Sequence, residues 1–322
     1  MSTSNLTDWP TTYTKIRFSG QGSSAKVYLA VSRTHLSAAV DTLVSQDEAR
    51  TEEIITQLCS QIIAVKVSTA APIRHNGRVR LPDVSSTRTA MNNERLNLEN
   101  IHNMISHPHG RKHVVSLVDY DPAPSDPRWI VTETMPSSCD LSTLLRHTSS
   151  AIPPALVLSV FVQASQGLLY MQQRSKSIGH GDIKLDNLLI GFHNEDPGTM
   201  PDVKIIDFGY AAEDPDAGQL DTASLVDVII TLSNRCGRPN SGTTGCNVLD
   251  VFRAVCRQRR YQDLAQLWAK MGPLALAKLT AIDSEECQEI NNLVHLAVLE
   301  KYGGLRGQVW RLLLEEVKAT AA

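Results

Sequence analysis

His180-Gly181-Asp182-Ile183-Lys184-Leu185-Asp186-Asn187 and, further along, Asp207-Phe208-Gly209 gather carboxylates, an amide and an ammonium group on two short loops. That set of groups can carry out phosphoryl transfer. One carboxylate can take a proton from an attacking hydroxyl, an amide oxygen and a second carboxylate can hold Mg²⁺, and a cation can offset charge on the transferred group. The flanking residues indicate how these groups are presented. Leu188-Leu189-Ile190 continues the first loop as a buried strand, and Val203-Lys204-Ile205-Ile206 is a second strand that delivers Asp207. A polar turn that happens to contain Asp, Lys and Asn would explain one motif alone. The two in order, each tied to an apolar strand, are much harder to obtain without a site.

Together the motifs resemble the catalytic loop and metal-binding loop of the eukaryotic protein kinase family, with Gly181 where the family usually has Arg. The resemblance implies Asp182 as catalytic base, Lys184 as the cation at the transferred group, and Asn187 and Asp207 as Mg²⁺ ligands. It also implies a nucleotide cradle upstream. Ile16 to Ala30 reads as strand, small-residue turn and strand, in which Gly20 and Gly22 would let backbone N–H groups approach phosphates and Val27 would cover adenine. Ala25 stands where the family has a third glycine. Ile63-Ala64-Val65-Lys66 matches the family's Val-Ala-x-Lys strand, with Ala64 at the nucleotide and Lys66 on the α- and β-phosphates.

Lys66 then needs a carboxylate from the next helix, expected over Asn93 to Ser106 with Leu96, Ile101, Met104 and Ile105 facing inward. Glu99 is the first choice and Glu94 the alternative. Trp129 to Pro136 resembles the strand entering the interlobe hinge, which makes Thr132 the gatekeeper and assigns the backbones of Glu133 and Met135 to the adenine edge. Asp140 is either an N-cap or a contact to ribose or a substrate cation. Pro153 to Gln173 follows as a long apolar helix.

The chain departs from the family after Asp207. Asp221-Thr222-Ala223-Ser224-Leu225 already resembles the start of the family's buried central helix, and no Ala-Pro-Glu follows, so the activation segment is short. An alternative places that helix at Leu249 to Arg257, but Arg253, Arg257 and the cations after them suit a buried helix poorly. With Gly181 unable to bind a phosphate and little loop to carry one, catalysis is expected to be independent of activation-loop phosphorylation, for instance at Thr222 or Ser224.

Composition bounds the rest. The chain has 322 residues, 42% hydrophobic and 20% charged, with net charge −3, which suits a globular protein and argues against nucleic acid as its main partner. Six cysteines lack any Cys-x-x-Cys pair and read as reduced thiols. Met1 to Pro10 lacks the features of a secretory signal and no apolar run reaches membrane-spanning length, so an intracellular protein, cytoplasmic or nuclear, with no membrane partner is expected. His35 to Ser60 is an insertion that could cover the small lobe or dock a partner. Ala71 to Thr89, with Arg74, Arg78, Arg80 and Arg88, reads as a mobile basic loop. His107, His109 and His113 cluster without further metal-ligand spacing. From Leu249 to Lys318 the pattern is helical, with breaks expected at Gly272-Pro273 and Gly303-Gly304.

The expected architecture is an α+β, two-lobed protein-kinase-like fold. A tail over residues 1–12 precedes a domain over 13–322, with a small antiparallel-sheet lobe and one main helix at about 13–134, interrupted by the insertion at 35–60, and a larger helical lobe at about 135–322. The resemblance implies an enzyme using ATP and Mg²⁺ to phosphorylate Ser or Thr of a protein substrate, Lys184 favouring that type over tyrosine kinases. Two rivals stand beside it: a scaffold that keeps the fold without transfer, and a small-molecule kinase.

Overall fold

The computed structural model describes residues 9–22, 25–45, 50–68, 73–75, 78–80, 84–103, 108–123, 127–172, 177–192, 199–214, 216–236, 246–258 and 261–321. The chain divides into two compact units, the first comprising Met1–His102, Ser116–Pro136 and Tyr302–Ala322, the second Asn103–Val115 and Ser137–Lys301.

In the first unit, β1 (Tyr13–Gln21), β2 (Ala25–Ser32), β3 (Ile63–Ser68), β6 (Leu117–Tyr120) and β7 (Trp129–Glu133) form an antiparallel sheet in the order β1-β2-β3-β7-β6. A separate hairpin, β4 (Ile73–His75) with β5 (Arg78–Arg80), stands within the stretch expected to be loop. Strand alternation separates the two sheet faces. Tyr13, Ala30, Val65, Trp129 and Val131 make a core on one face. On the other, Ala25 and Ile130 pack with Met91 of α3 (Val84–His102).

The insertion folds as α1 (Arg33–Ser45) and α2 (Thr51–Ser60). Their apolar positions Leu36, Val40, Ile54, Ile55 and Leu58 bury against Leu29 and Val31 of β2 and against Val309 and Leu313 of the last helix, α11 (Leu305–Ala321). The insertion therefore covers the sheet, and its apolar side is occupied within the chain. This also corrects the expected boundary of the large lobe at 322: the carboxy-terminal helix belongs to the first unit, because its apolar stripe is buried by α1 and α2.

α3 differs from expectation in extent and in phase. It begins at Val84, nine residues earlier than expected, and its buried positions are Met91, Glu94, Arg95, Leu98 and Ile101, whereas Leu96 is exposed. Met91, Glu94, Leu98 and Ile101 follow helical spacing on one face. Two charged residues on that face, each with a partner, hid its phase from a reading of apolar residues alone. Met104 and Ile105 lie outside the described residues.

The second unit is built around α6 (Pro154–Gln172), buried on nearly every side by α7 (Ala217–Ser233), α9 (Leu264–Leu279), β11 (Asp202–Ile205) and α4 (Pro108–Arg111). By length and composition α6 could cross a membrane, contrary to expectation, but 78% of that window is buried within the unit, as in a core helix. Before it come β8 (Ser137–Asp140) and α5 (Leu141–His147). β9 (Ile178–Gly179) and β10 (Leu188–Phe192) follow α6, and β11-β10-β8 form a small antiparallel sheet. β12 (Ala212–Glu213) pairs with β9.

α7 has Leu225, Val226, Val228, Ile229 and Leu232 buried, as expected of the central helix, whereas α8 (Cys246–Arg257) buries only one side through Leu249, Phe252 and Cys256. α9 runs straight through Gly272-Pro273, where a break was expected; Gly272 lies against the Trp268 ring, at a site with no room for a Cβ. The last helix of the unit is α10 (Ser284–Tyr302), and the chain returns to the first unit through Gly303-Gly304, Gly303 having φ +65°.

Candidate active site

The first unit presents its candidate groups on a window of the sheet. Val27 pairs with Lys66, Lys66 with Ile130 and Ala64 with Thr132, so Val27, Ala64, Lys66 and Thr132 share one face. Ala25 and Ile130 at one end are buried by α3, and Leu29 and Val31 at the other by the insertion and α11. The four residues between them are only half-buried. An apolar strip bearing one ammonium group can receive a flat ring and its phosphates.

Lys66 Nζ donates to Glu94 Oε2 at 2.6 Å, with side chains 17% and 4% exposed. The pair corrects the choice of Glu99, which instead accepts from Arg95 Nη1 at 2.9 Å. Five positions beyond Glu94, Glu99 leaves the helix face that meets β3, whereas Glu94 shares it with Met91 and Leu98.

The glycine turn is described in part, residues 23–24 lying outside the described residues. Gly20 has open space where a Cβ would stand. The Gly22 N–H donates to the Ala25 carbonyl at 2.9 Å and so closes the turn, contrary to the expectation that it is offered to phosphate. Glu133 binds Ser116 twice, its N–H donating to the Ser116 carbonyl at 2.9 Å and its Oε1 accepting from the Ser116 N–H at 3.0 Å. The Met135 side chain is buried.

In the second unit the catalytic-loop residues form a closed ring of hydrogen bonds. Asp182 Oδ2 accepts from Lys184 Nζ at 2.6 Å and Asn187 Nδ2 at 3.0 Å, and Asn187 Nδ2 also donates to the Asp182 carbonyl at 2.8 Å. The Asp182 N–H donates to His180 Nδ1 at 3.2 Å, which makes Nε2 the protonated nitrogen, and Nε2 donates to the Ile206 carbonyl at 2.9 Å. The Ile206 N–H in turn donates to the Asn187 carbonyl at 3.0 Å. Both backbone polar groups of Ile206, the residue before Asp207, are thereby tied to the loop that bears Asp182 and Asn187.

Asp207 has φ +67°, the left-handed conformation that Asp adopts more readily than most residues, and Phe208 behind it is buried with its ring edge-on to His180, centroids 4.8 Å apart. Hydrogen bonding to Asp182 is the main cause that raises the Lys184 pKa above its ordinary value, and the Asp207 charge adds to it. Lys184 is held as a cation.

The sequence reading did not foresee the role of Asp221. From the first turns of α7 its carboxylate accepts the His180 N–H at 2.6 Å and the Gly181 N–H at 2.9 Å. Burial raises its pKa against the lowering effect of those bonds, and burial likewise lowers that of His180. A carboxylate near the start of a helix with only one other charge, Asp227, was the available signal. Gly181 itself has φ +76°, and a Cβ there would lie 2.7 Å from the Tyr210 carbonyl oxygen. The family's Arg would be strained at this position.

Asp140 caps α5 through the Thr143 N–H at 2.7 Å and pairs with Lys301 at 2.7 Å, which favours the N-cap reading. Of the histidine cluster, His107 and the His109 side chain lie outside the described residues, and His113 is buried, its ring bonded to the Val203 carbonyl and the Gln166 amide.

No group of three His, Cys, Asp or Glu side chains placed to hold a metal occurs among the described residues. Mg²⁺ does not need one. It accepts one or two protein oxygens with water and phosphate filling its other positions. With Asn187 Nδ2 committed to Asp182, Oδ1 is the atom the amide can offer, and Asp207 directly follows Ile206, whose N–H binds the Asn187 carbonyl. The donor set fits.

No curated protein matches the chain. Residues 84–227, from the start of α3 into α7, match the family model described as protein kinase domain. That match spans less than half of the chain; with the antiparallel sheet, the helix carrying Glu94 and the mostly helical second unit, it supports a protein-kinase-like, two-lobed fold of the kind found in that family of phosphotransferases.

Proposed function

We propose that the protein is an active Ser/Thr protein kinase that uses Mg–ATP. The observation that carries this reading is the Asp182–Lys184–Asn187 cluster, because each group is held in the state its role requires. Asp182 Oδ2 is occupied by both donors. Oδ1 is therefore the oxygen that takes the proton from an acceptor hydroxyl. Lys184, kept charged beside it, offsets negative charge that builds up during transfer. Asn187 Oδ1 and the Asp207 carboxylate would hold Mg²⁺, and Lys66, oriented by Glu94, would hold phosphate oxygens. When bound, Mg–ATP supplies the phosphoryl group and a metal that neutralises its oxygens. A scaffold would not need Lys66, Glu94, Asp182, Asn187 and Asp207 all retained.

One observation favours a second reading, nucleotide binding without transfer to protein. α7 begins ten residues after Asp207, and among the described residues of the segment between, the one strand on which to lay a peptide is two residues long. Incubation of the purified chain and of Asp182→Ala with labelled ATP and Mg²⁺, on generic protein acceptors and on itself, separates the two. Label on Ser or Thr that is absent with Asp182→Ala supports the proposal. Nucleotide binding without label on any protein supports the second reading.

A further inference from the structure

β11 is an edge strand. On one side Asp202 to Ile205 pair with β10; on the other, among the described residues, only an isolated parallel bridge of Val114 with Ile205 meets the strand, yet both outward-facing backbone groups of Val203 and of Ile205 have a partner. The Val203 N–H donates to Gln163 Oε1 at 2.8 Å. The Val203 carbonyl is bonded to His113 Nδ1 at 3.0 Å. The Ile205 N–H donates to the His113 carbonyl at 2.8 Å, and the Ile205 carbonyl accepts the Val115 N–H at 3.1 Å. Gln163 is fixed in turn, its Nε2 donating to Ser159 Oγ at 2.8 Å and to the Pro201 carbonyl at 2.9 Å. His113 Nε2 lies 3.1 Å from the Gln166 amide. Since Nδ1–H donates to Val203 and burial keeps the ring neutral, Nε2 accepts, and the N–H end of that amide is the one that satisfies it.

Glycine at position 167 lets the helix come this close, since a Cβ there would lie 2.8 Å from Ile205 Cδ1 and 3.2 Å from the His113 carbonyl oxygen. Side chains thus stand in for a strand at Val203, a single backbone bridge closes the edge at Ile205, and β11 ends two residues before Asp207. A slip of one residue would turn every β11 side chain to the opposite face and displace Asp207.

We propose that Gln163, Gln166 and His113 are positioning residues for the Asp207 carboxylate: they fix the register of β11 from its open edge and so set the metal-binding geometry at its end. The proposal rests on the reading of Asp207 as a metal ligand. Loss of residues that orient a ligand typically costs ten- to a hundredfold in metal affinity.

The test uses the full chain as wild type, Gln163→Met, His113→Leu and His113→Asn, the last of which keeps a donor for the Val203 carbonyl. Two quantities are read: the Mg²⁺ concentration that half-saturates the ADP-induced rise in melting temperature, and amide exchange over residues 203–207. Gln163→Met and His113→Leu are expected to raise the Mg²⁺ requirement on the order of tenfold with metal-free ADP affinity unchanged, and to speed exchange at Ile205 and Asp207. His113→Asn is expected to stay within about threefold of wild type on the same scale. An unchanged Mg²⁺ requirement, or a parallel loss of metal-free ADP affinity, overturns the proposal. If wild type itself shows no response to Mg²⁺ and ADP, the kinase reading fails separately, and exchange decides whether these residues hold the strand: unchanged rates in Gln163→Met and His113→Leu overturn that too.

Discussion

Removal of Glu94 discriminates between the two carboxylates that could serve Lys66. The pair is 2.6 Å long, with 17% and 4% of the side chains exposed. Taking one partner from a pair this buried leaves the other charge uncompensated, at a cost of about 3 kcal/mol, the lower end of the usual range because Lys66 keeps some solvent. Glu99→Leu breaks only a helical i,i+4 pair with Arg95, in which Glu99 is 31% exposed. Such a pair is worth about 0.3–0.5 kcal/mol. The assay is a double-mutant cycle, with Lys66→Met and Glu94→Leu, singly and together, unfolded in urea. A coupling energy of about 3 kcal/mol is expected, the double variant regaining most of the stability lost by each single one. ATP binding should stay impaired in all three variants, since restoring the apolar packing does not restore the ammonium group. The same cycle with Glu99→Leu should give coupling near zero. Stronger coupling of Lys66 to Glu99 than to Glu94 would refute the assignment.

Three further outcomes follow from local geometry. Gly181→Arg, which restores the family's residue, should lower stability by about 1–3 kcal/mol through strain at positive φ and the clash with Tyr210, read as a lower melting temperature; a neutral result would mean the loop relaxes freely. The His113 pKa is lowered from 6.5 to about 4 by burial. Between those values the unfolded chain takes up a proton that the folded chain refuses, so stability falls as pH drops from 6.5 towards 4, by about 3 kcal/mol in all. Wild type should lose that much more stability than His113→Asn between pH 7 and pH 4 in urea titrations, and equal losses would contradict the shift. Leu313→Ala, in a helix remote in sequence from every motif, should cost about 2–5 kcal/mol and diminish the ATP-induced rise in melting temperature, because the residue is fully buried against α1 and α2. An unaffected melting temperature would show that α11 does not hold the first unit together.

Which parts of this structure were legible in the sequence depended on how local their causes are. β10, β11 and α7 could be read because a mainly apolar run bounded by polar turns has one economical placement, even with Lys204 in β11 and Asp227 in α7. The Asp182–Asn187 loop was legible for the same reason, its side chains bonding to one another within a few residues. α3 was misphased because Glu94 and Arg95 are buried with partners, Lys66 of β3 for the one and Glu99 of the same helix for the other, and no count of apolar residues reveals a satisfied buried charge. Asp221 was missed because its partners are backbone N–H groups some 40 residues away. The place of α11 could not be read at all. Its apolar stripe would suit any helical neighbour, and only packing against α1 and α2 selects the one it has. Gly272-Pro273 looked like a break, yet α9 continues through both residues, with Gly272 placed where a Cβ would meet the Trp268 ring.

The central claim is that the protein uses Mg–ATP, with Lys66 and Asp207 each needed to bind it, and calorimetric titration of Mg–ATP into wild type, Lys66→Met and Asp207→Asn tests it most directly. Saturable one-to-one binding by wild type is expected, weakened on the order of tenfold or more in each variant, with Asp207→Asn alone losing its dependence on Mg²⁺. Binding that survives both substitutions unchanged, or no binding by the folded wild type, would contradict the account.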